Sequence, residues 1–179
     1  MDRGTYLEYD GRPAVRFRRS YPYPLQRLWA AVTEPDDLKH WFPFRVSMQP
    51  RVGGSIEFSD DSGNPPTSGT ILAYDPPRRL AYTWGGSELH FELEPTGADG
   101  CTLTLVNVLE ASDEASRNAA GWSVCLAELD KLITGARAGG PHSDTAEDWA
   151  SFFDAYRAEG MPSGAAIPGA AEQHDSQTS

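Results

Sequence analysis

The chain has 179 residues, 39% of them apolar and 23% charged, a balance that fits one ordinary folded domain and excludes a disordered chain. Fifteen basic against twenty-six acidic residues leave a net charge of −11, which argues against whole-surface attraction to nucleic acid or anionic lipid. No run approaches the ~18 consecutive apolar residues of a membrane span, the N-terminus lacks the blocks of a signal peptide, and two cysteines cannot make a disulfide framework, so the expected home is the cytoplasm.

In chain order, Ala14 to Arg19 alternates Val15 and Phe17 with Arg16 and Arg18, which predicts a strand. Pro24 suits the first position of a helix carrying Leu25, Leu28, Trp29 and Val32 on one stripe, and Pro35 opens a second short helix toward Trp41. Six alternating segments follow: Phe44 to Met48, Ser55 to Ser59, Ser68 to Tyr74, Leu80 to Trp84, Leu89 to Glu94 and Thr102 to Glu110. The stretches between them, such as Gly53-Gly54, Asp75-Pro76-Pro77 and Gly85-Gly86, favour chain reversal, so the strands read as antiparallel hairpins. Period 2 places Ile56, Phe58, Ile71, Ala73, Leu80, Tyr82, Trp84, Leu89, Phe91, Leu93, Leu103 and Leu105 on one face and leaves Glu88, His90 and Glu92 on a wet one. Ser112 is the expected cap of a long helix reaching Gly135, with Trp122, Leu126, Leu129 and Ile133 on one side.

Composition changes after Ile133. Residues 137–179 hold two basic residues against seven acidic ones, and Ala138 to Ser143 reads as a linker. Trp149, Phe152, Phe153 and Tyr156 then recur at helical spacing, with Asp144 as the expected cap and Gly160 and Pro162 as stops. The expected organisation is a domain at 1–136, a linker and amphipathic tail helix at 137–160, and a disordered tail at 161–179. So dense an aromatic stripe is expected to pack on the body as a cover for its cavity, on a protein partner, or on a second copy in a homodimer.

One strand, two short helices, six strands and a long helix make an α+β order. Arg19 with Pro24, LWAAVTEPDDLKHWF (Leu28 to Phe42), RVGG (Arg51 to Gly54), GTILAYDPPRRLAYTW (Gly69 to Trp84), LTL (Leu103 to Leu105) and GWSVCLAELDKL (Gly121 to Leu132) together resemble the SRPBCC, or START-like, superfamily. More narrowly they resemble the branch named for the C-terminal domain of the activator of heat-shock protein 90 ATPase, over residues 13 to 135. The resemblance implies a helix-grip fold, in which a curved seven-stranded antiparallel sheet wraps around the long helix. It further implies a cavity for lipids, sterols, polyketides or other apolar molecules, and cyclase or hydrolase activity in some members. Relatives often carry histidine after the LTL segment where this chain has Asn107, which removes that imidazole's chemistry.

Candidate ligand-binding residues are Arg19, Trp41, Phe58, Tyr82, Trp84, Phe91, Asn107, Trp122 and Leu126. The aromatic ones suit an apolar pocket, although each also suits ordinary core packing. Arg19 shares the inward parity of Val15 and Phe17, so its guanidinium is expected to meet either an anionic ligand head or an internal carboxylate or carbonyl. The Asn107 amide has the same two options, ligand or internal hydrogen bond.

Catalytic templates fail. Gly121-Trp122-Ser123-Val124-Cys125 departs from the nucleophile elbow at its last residue and lies within a helix. Cys101 and Cys125 have no C-x-x-C partner, the histidines at 40, 90, 142 and 174 have no ligand spacing, and no phosphate-cradling or dinucleotide loop occurs. The sequence therefore predicts binding of a small hydrophobic ligand with no metal, cofactor, nucleic acid or membrane span. A protein-interaction or chaperone-related module stands second, and a cyclase or hydrolase third.

Overall fold

The structure is a computed structural model and describes residues 3–167. Eight antiparallel strands form one sheet in the order β1-β2-β8-β7-β6-β5-β4-β3. They are β1 (Thr5–Tyr9), β2 (Arg12–Tyr21), β3 (Arg45–Met48), β4 (Ser55–Ser59), β5 (Thr67–Asp75), β6 (Arg79–Trp84), β7 (Ser87–Thr96) and β8 (Gly100–Val108). Helices α1 (Leu25–Thr33) and α2 (Pro35–Leu38) follow β2; α3 (Ala115–Thr134) follows β8, and α4 (Trp149–Ala158) follows α3. This is the expected α+β helix-grip architecture, with one strand more than the seven anticipated.

The additional strand is β1. Asp10 and Gly11 take φ of 48° and 76°, and Tyr9 pairs with Arg12 across them, which is the two-residue Asp-Gly hairpin that such backbone angles favour. Leu7 and Tyr9 pack on Ala14, Val106 and Val108, a small second core on the outer face of the sheet. That face is therefore not uniformly wet. His90, expected to point into solvent, is buried beneath Tyr9, with ring centroids 5.0 Å apart, and its Nε2 lies 2.8 Å from Glu88 Oε2.

A bulge in β5 corrects a second expectation. Ile71 pairs with Tyr82, but Ala73 pairs with Ala81 and Tyr74 with Leu80. One extra residue reverses side-chain parity beyond it, so Tyr74 rather than Ala73 joins the main core, 5.8 Å from the Trp29 ring.

The long helix is gripped on two sides. Its 20 residues span about 30 Å, and it ends on Gly135 at φ 80°, with Ala136 N donating to Lys131 O at 2.8 Å, the left-handed C-cap that glycine adopts without a Cβ penalty. Ser112 opens a short 3-10 turn, Ser112–Glu114, instead of capping, and Glu114 Oε2 reaches back to accept the Glu110 and Ala111 backbone N–H groups ahead of the turn. Ala119, Trp122, Leu126 and Leu129 belong to the main core of sheet and helices, while Ser116, Ser123, Ala127 and Glu128 are buried as well. The helix α4 accounts for much of the burial on the second side. Tyr156 is 1% exposed, its hydroxyl lies 2.7 Å from Ser123 Oγ, and it accepts the Gly4 N–H at 2.9 Å. Small residues on α3 permit that close approach.

The N-cap of α4 is Asp148, not Asp144: its Oδ2 accepts the Ser151 N–H at 3.1 Å. The donations from Ser151 hold this carboxyl below the usual carboxylate range. Its folded-state value is lowered, so the cap's contribution is complete above the ordinary carboxylate range and is lost as the pH falls from there through the lowered folded-state value. Past α4 the chain was expected to be without structure. Residues 161–167 instead run back along the start of α3, where Ser116 N donates to Pro162 O at 2.9 Å and Arg117 Nη1 to Ala166 O at 2.9 Å. The rest of that expected disordered tail, 168–179, lies outside the described residues. Among the described residues no helix is long and apolar enough to cross a membrane.

Candidate functional site

A partly open cleft of about 700 Å³ lies where α3 meets the ends of β6, β7 and β8. Trp84, Ser87 and Asn107 come to it from the sheet, Gly121, Trp122 and Cys125 from α3, and Pro43 and Phe44 from the loop after α2. The remaining wall is supplied by the C-terminal extension, through Pro141, His142, Glu147, Trp149 and Ile167.

An aromatic stack builds the inner wall. Trp84 is stacked on Phe58 at 5.1 Å, meets Phe44 edge-on at 5.5 Å and Trp122 at 6.1 Å, and Phe42 contacts both Trp84 and Trp122. Such tilted and edge-to-face contacts lock the rings in place, so the indoles of Trp84 and Trp122 form a preformed apolar surface.

Asn107 fixes the polar side of that wall. Its Oδ1 accepts Trp122 Nε1 at 3.1 Å and Asn118 Nδ2 at 3.0 Å, while its Nδ2 donates to Glu88 O at 3.2 Å and Val108 O at 3.4 Å. Each atom of the amide has two partners, which exhausts its usual capacity. Asn107 thus lines the cleft as an internal brace, the second of the two options its sequence position left open.

Arg19 lies elsewhere. It is buried, and its Nη1 donates to Asp130 Oδ2 at 3.0 Å, with Tyr21 OH donating to Asp130 Oδ1 at 2.7 Å. Arg19 lines a separate small recess with Tyr21, Tyr23 and Thr134, toward the C-terminal end of α3. An internal carboxylate partner, rather than a ligand head, is what the structure provides for it. Trp41, Phe58, Tyr82, Phe91 and Leu126 are also absent from the cleft lining; each is at most 1% exposed and packed in the main core. Trp41 donates Nε1 to Ala31 O at 2.8 Å and meets Phe42 and Phe91 edge-on. Full burial pushes the Tyr82 phenol above its ordinary range. Of the nine candidates the cleft brings together Trp84, Asn107 and Trp122.

The candidate residues omit Gly121 and the C-terminal wall, although packing of the aromatic tail helix on the body as a cover is one of the three outcomes expected from the sequence. A Cβ added at Gly121 would have only Trp149 Nε1 within 4.0 Å, so the cleft extends over this position. A glycine inside a long helix costs about 1 kcal/mol relative to alanine, and that cost was the available signal. The wall itself is pinned by a buried carboxylate. Glu128 Oε2 accepts the Gly140 N–H at 3.1 Å, Glu128 Oε1 pairs with Lys131 Nζ at 2.5 Å, and Lys131 donates to Thr145 O at 2.9 Å. His142 Nε2 lies 3.2 Å from Pro43 O, tying this strap to the loop after α2.

Cys125 is buried, and desolvation raises its thiol well above the ordinary range, away from the thiolate that nucleophilic chemistry requires. Among the described residues no group of three or more His, Cys, Asp or Glu side chains is placed to hold a metal ion.

A curved antiparallel sheet gripping a long helix, with a cleft between them, defines the SRPBCC, or START-like, class. Residues 22–134 match the family described as Activator of Hsp90 ATPase homolog 1-like protein, and the chain belongs to that family. Among solved structures it is similar to CalU16 from Micromonospora echinospora, with 25% identity and a TM-score of 0.69 over 90% of this chain and 92% of that one. A conserved protein of unknown function from Enterococcus faecalis matches at 20% identity and a TM-score of 0.71, over 87% of this chain and 89% of that one. DynU16, a protein in the dynemicin biosynthetic locus, matches at 25% identity and a TM-score of 0.59, over 71% of this chain and 50% of that one. No curated protein matches in sequence. Pro141, His142, Glu147, Trp149 and Ile167 lie outside the family match, so one wall of the cleft is not family-defined.

Proposed function

We propose that this protein binds a small apolar or amphipathic molecule, lipid-like or polyketide-like, between the sheet and α3. The observation that carries the reading is the cleft with Trp84 and Trp122 on one wall and Trp149 on the other. Its volume falls within the ~300–1,000 Å³ typical of small-molecule sites, and indole faces supply much apolar area at fixed geometry. The likeness to DynU16 supports a ligand of natural-product size. The strap and α4 serve as a partial cover, and loosening them speeds ligand exchange.

The interaction-module reading is weaker on one specific ground: Tyr156 of the aromatic tail stripe is spent inside the chain on Ser123 and Gly4. A cyclase or hydrolase is disfavoured by the raised Cys125 thiol and the committed Asn107 amide.

Gly121→Leu tests the binding reading. The new side chain fills the cleft beside Trp149 while improving helix propensity by up to about 1 kcal/mol, so thermal stability should hold within about 1 kcal/mol while affinity for apolar fluorescent probes falls at least about tenfold. Undiminished probe binding by the folded variant would place binding elsewhere.

A further inference from the structure

We infer that the cleft takes a ligand with a cationic head, a quaternary or protonated ammonium, seated against tryptophan faces with Glu110 and Glu147 as its counter-ions. This inference rests on the cleft-binding reading and specifies the ligand class.

The lining carries the carboxylates of Glu110, Glu114 and Glu147 against one guanidinium, Arg117, and one imidazole, His142. It therefore stays net negative whichever form the imidazole takes. Arg117 and Glu114 are committed to each other: Arg117 Nη2 donates to Glu114 Oε1 at 3.2 Å, Nε to Asn118 Oδ1 at 3.0 Å, and Nη1 to Ala166 O at 2.9 Å. An anionic head would thus find no free guanidinium here, and Arg19 is occupied by Asp130 in a separate recess.

Glu110 and Glu147 are the uncommitted pair, with no cationic partner within salt-bridge distance among the described residues. Each lies beside a tryptophan of the cleft. Glu110 packs over the β6–β7 turn, where a Cβ on Gly86 would fall onto its Oε1, two residues from Trp84. Glu147 is two residues from Trp149, whose Nε1 faces Gly121. Carboxylates that line one cleft with Trp84, Trp122 and Trp149 supply the chemistry that recognises an ammonium, through charge and through the negative face of a ring. A net charge of −11 over the whole chain adds long-range attraction of the same sign.

The test uses full-length protein and three anthracenes differing only at position 9: trimethylammoniomethyl, hydroxymethyl and carboxylate. Binding is read by fluorescence titration. The cation should bind at least about tenfold more tightly than the carboxylate, with the alcohol between them; the margin is modest because rim charges are screened by solvent. In the double variant Glu110→Gln, Glu147→Gln the cation-to-carboxylate ratio should fall to about threefold or less, and added salt should narrow the wild-type ratio in the same direction. Equal affinities for all three probes, a preference for the carboxylate, or a ratio untouched by the double variant overturns the cationic head while leaving the cleft reading in place. Failure of all three probes to bind overturns the cleft reading and this inference with it.

Discussion

Trp41→Ala should destabilise the protein by about 3–5 kcal/mol, the range for removing a large aromatic from a well-packed core. Trp41 is 0% exposed, its Nε1–H bonds to Ala31 O, and its ring sits edge-on against Phe42 and Phe91. The side chain therefore couples the end of α2 to α1 and to β7, and nothing nearby can move into its space without disturbing all three. For a domain of this size the melting midpoint should drop by roughly 10 °C, and urea unfolding should shift in midpoint with little change in slope. The contrast is Trp84→Ala. Trp84 is only half-buried and lines the cleft, so that variant should lose probe binding at a smaller cost in stability. A stable Trp41→Ala protein that no longer binds probe would return Trp41 to the ligand wall.

Tyr156→Ala should release α4. The substitution removes a ring that is 1% exposed and strands the Gly4 N–H, while the Ser123 hydroxyl loses Tyr156 and keeps its bond to Ala119 O. The intrinsic cost, about 3–5 kcal/mol, exceeds what a ten-residue helix can offset by itself, since isolated helices of that length are marginal in water. The expected outcome is local: amide exchange across residues 149–158 accelerates by two orders of magnitude or more, on the scale of about 3 kcal/mol, while β7 and β8 keep their protection. Probe dissociation should accelerate as well, because the strap carrying His142, Glu147 and Trp149 loses its C-terminal anchor. Tyr156→Phe keeps the ring and loses only the hydroxyl, so it should cost about 1–2 kcal/mol. Unchanged exchange in Tyr156→Ala would mean that α4 is held by its other contacts.

How far the sequence reaches depends on the range of the signal. Alternation in Leu80 to Trp84 and Leu89 to Glu94, with Gly85-Gly86 between them, is local and defines a hairpin that the structure contains. The order of elements and the quoted motifs then lead to the helix-grip fold. The strand β1 escaped because Tyr6 and Leu7 put apolar side chains on both faces of an edge strand, which erases alternation; its Asp-Gly turn was the legible clue. The β5 bulge at Leu72 carries no residue signature, so Ala73 and Tyr74 exchanged faces unannounced. Long-range polar pairing is invisible in the same way. Nothing adjacent to Arg19 points to Asp130, 111 positions away, and a buried arginine by itself is equally compatible with a ligand anion. The candidate site was legible where strand parity and helix phase converge, at Trp84, Asn107 and Trp122; for the C-terminal extension the aromatic stripe pointed to a docked cover, a protein partner or a dimer without choosing among them. Trp149 read as part of a helix that could serve as a cover, and only the fold shows that its indole stands over Gly121.

The central claim is that ligand enters the space between α3, the sheet and the C-terminal strap. Five tryptophans make it directly measurable, because each indole N–H gives its own resonance in ¹⁵N-labelled protein. Titration with the hydroxymethyl anthracene should move the indole signals of Trp84, Trp122 and Trp149 together, along one saturable curve, and leave those of Trp29 and Trp41 in place. Saturable shifts centred on Trp29 or Trp41, with the other three unmoved, would contradict it.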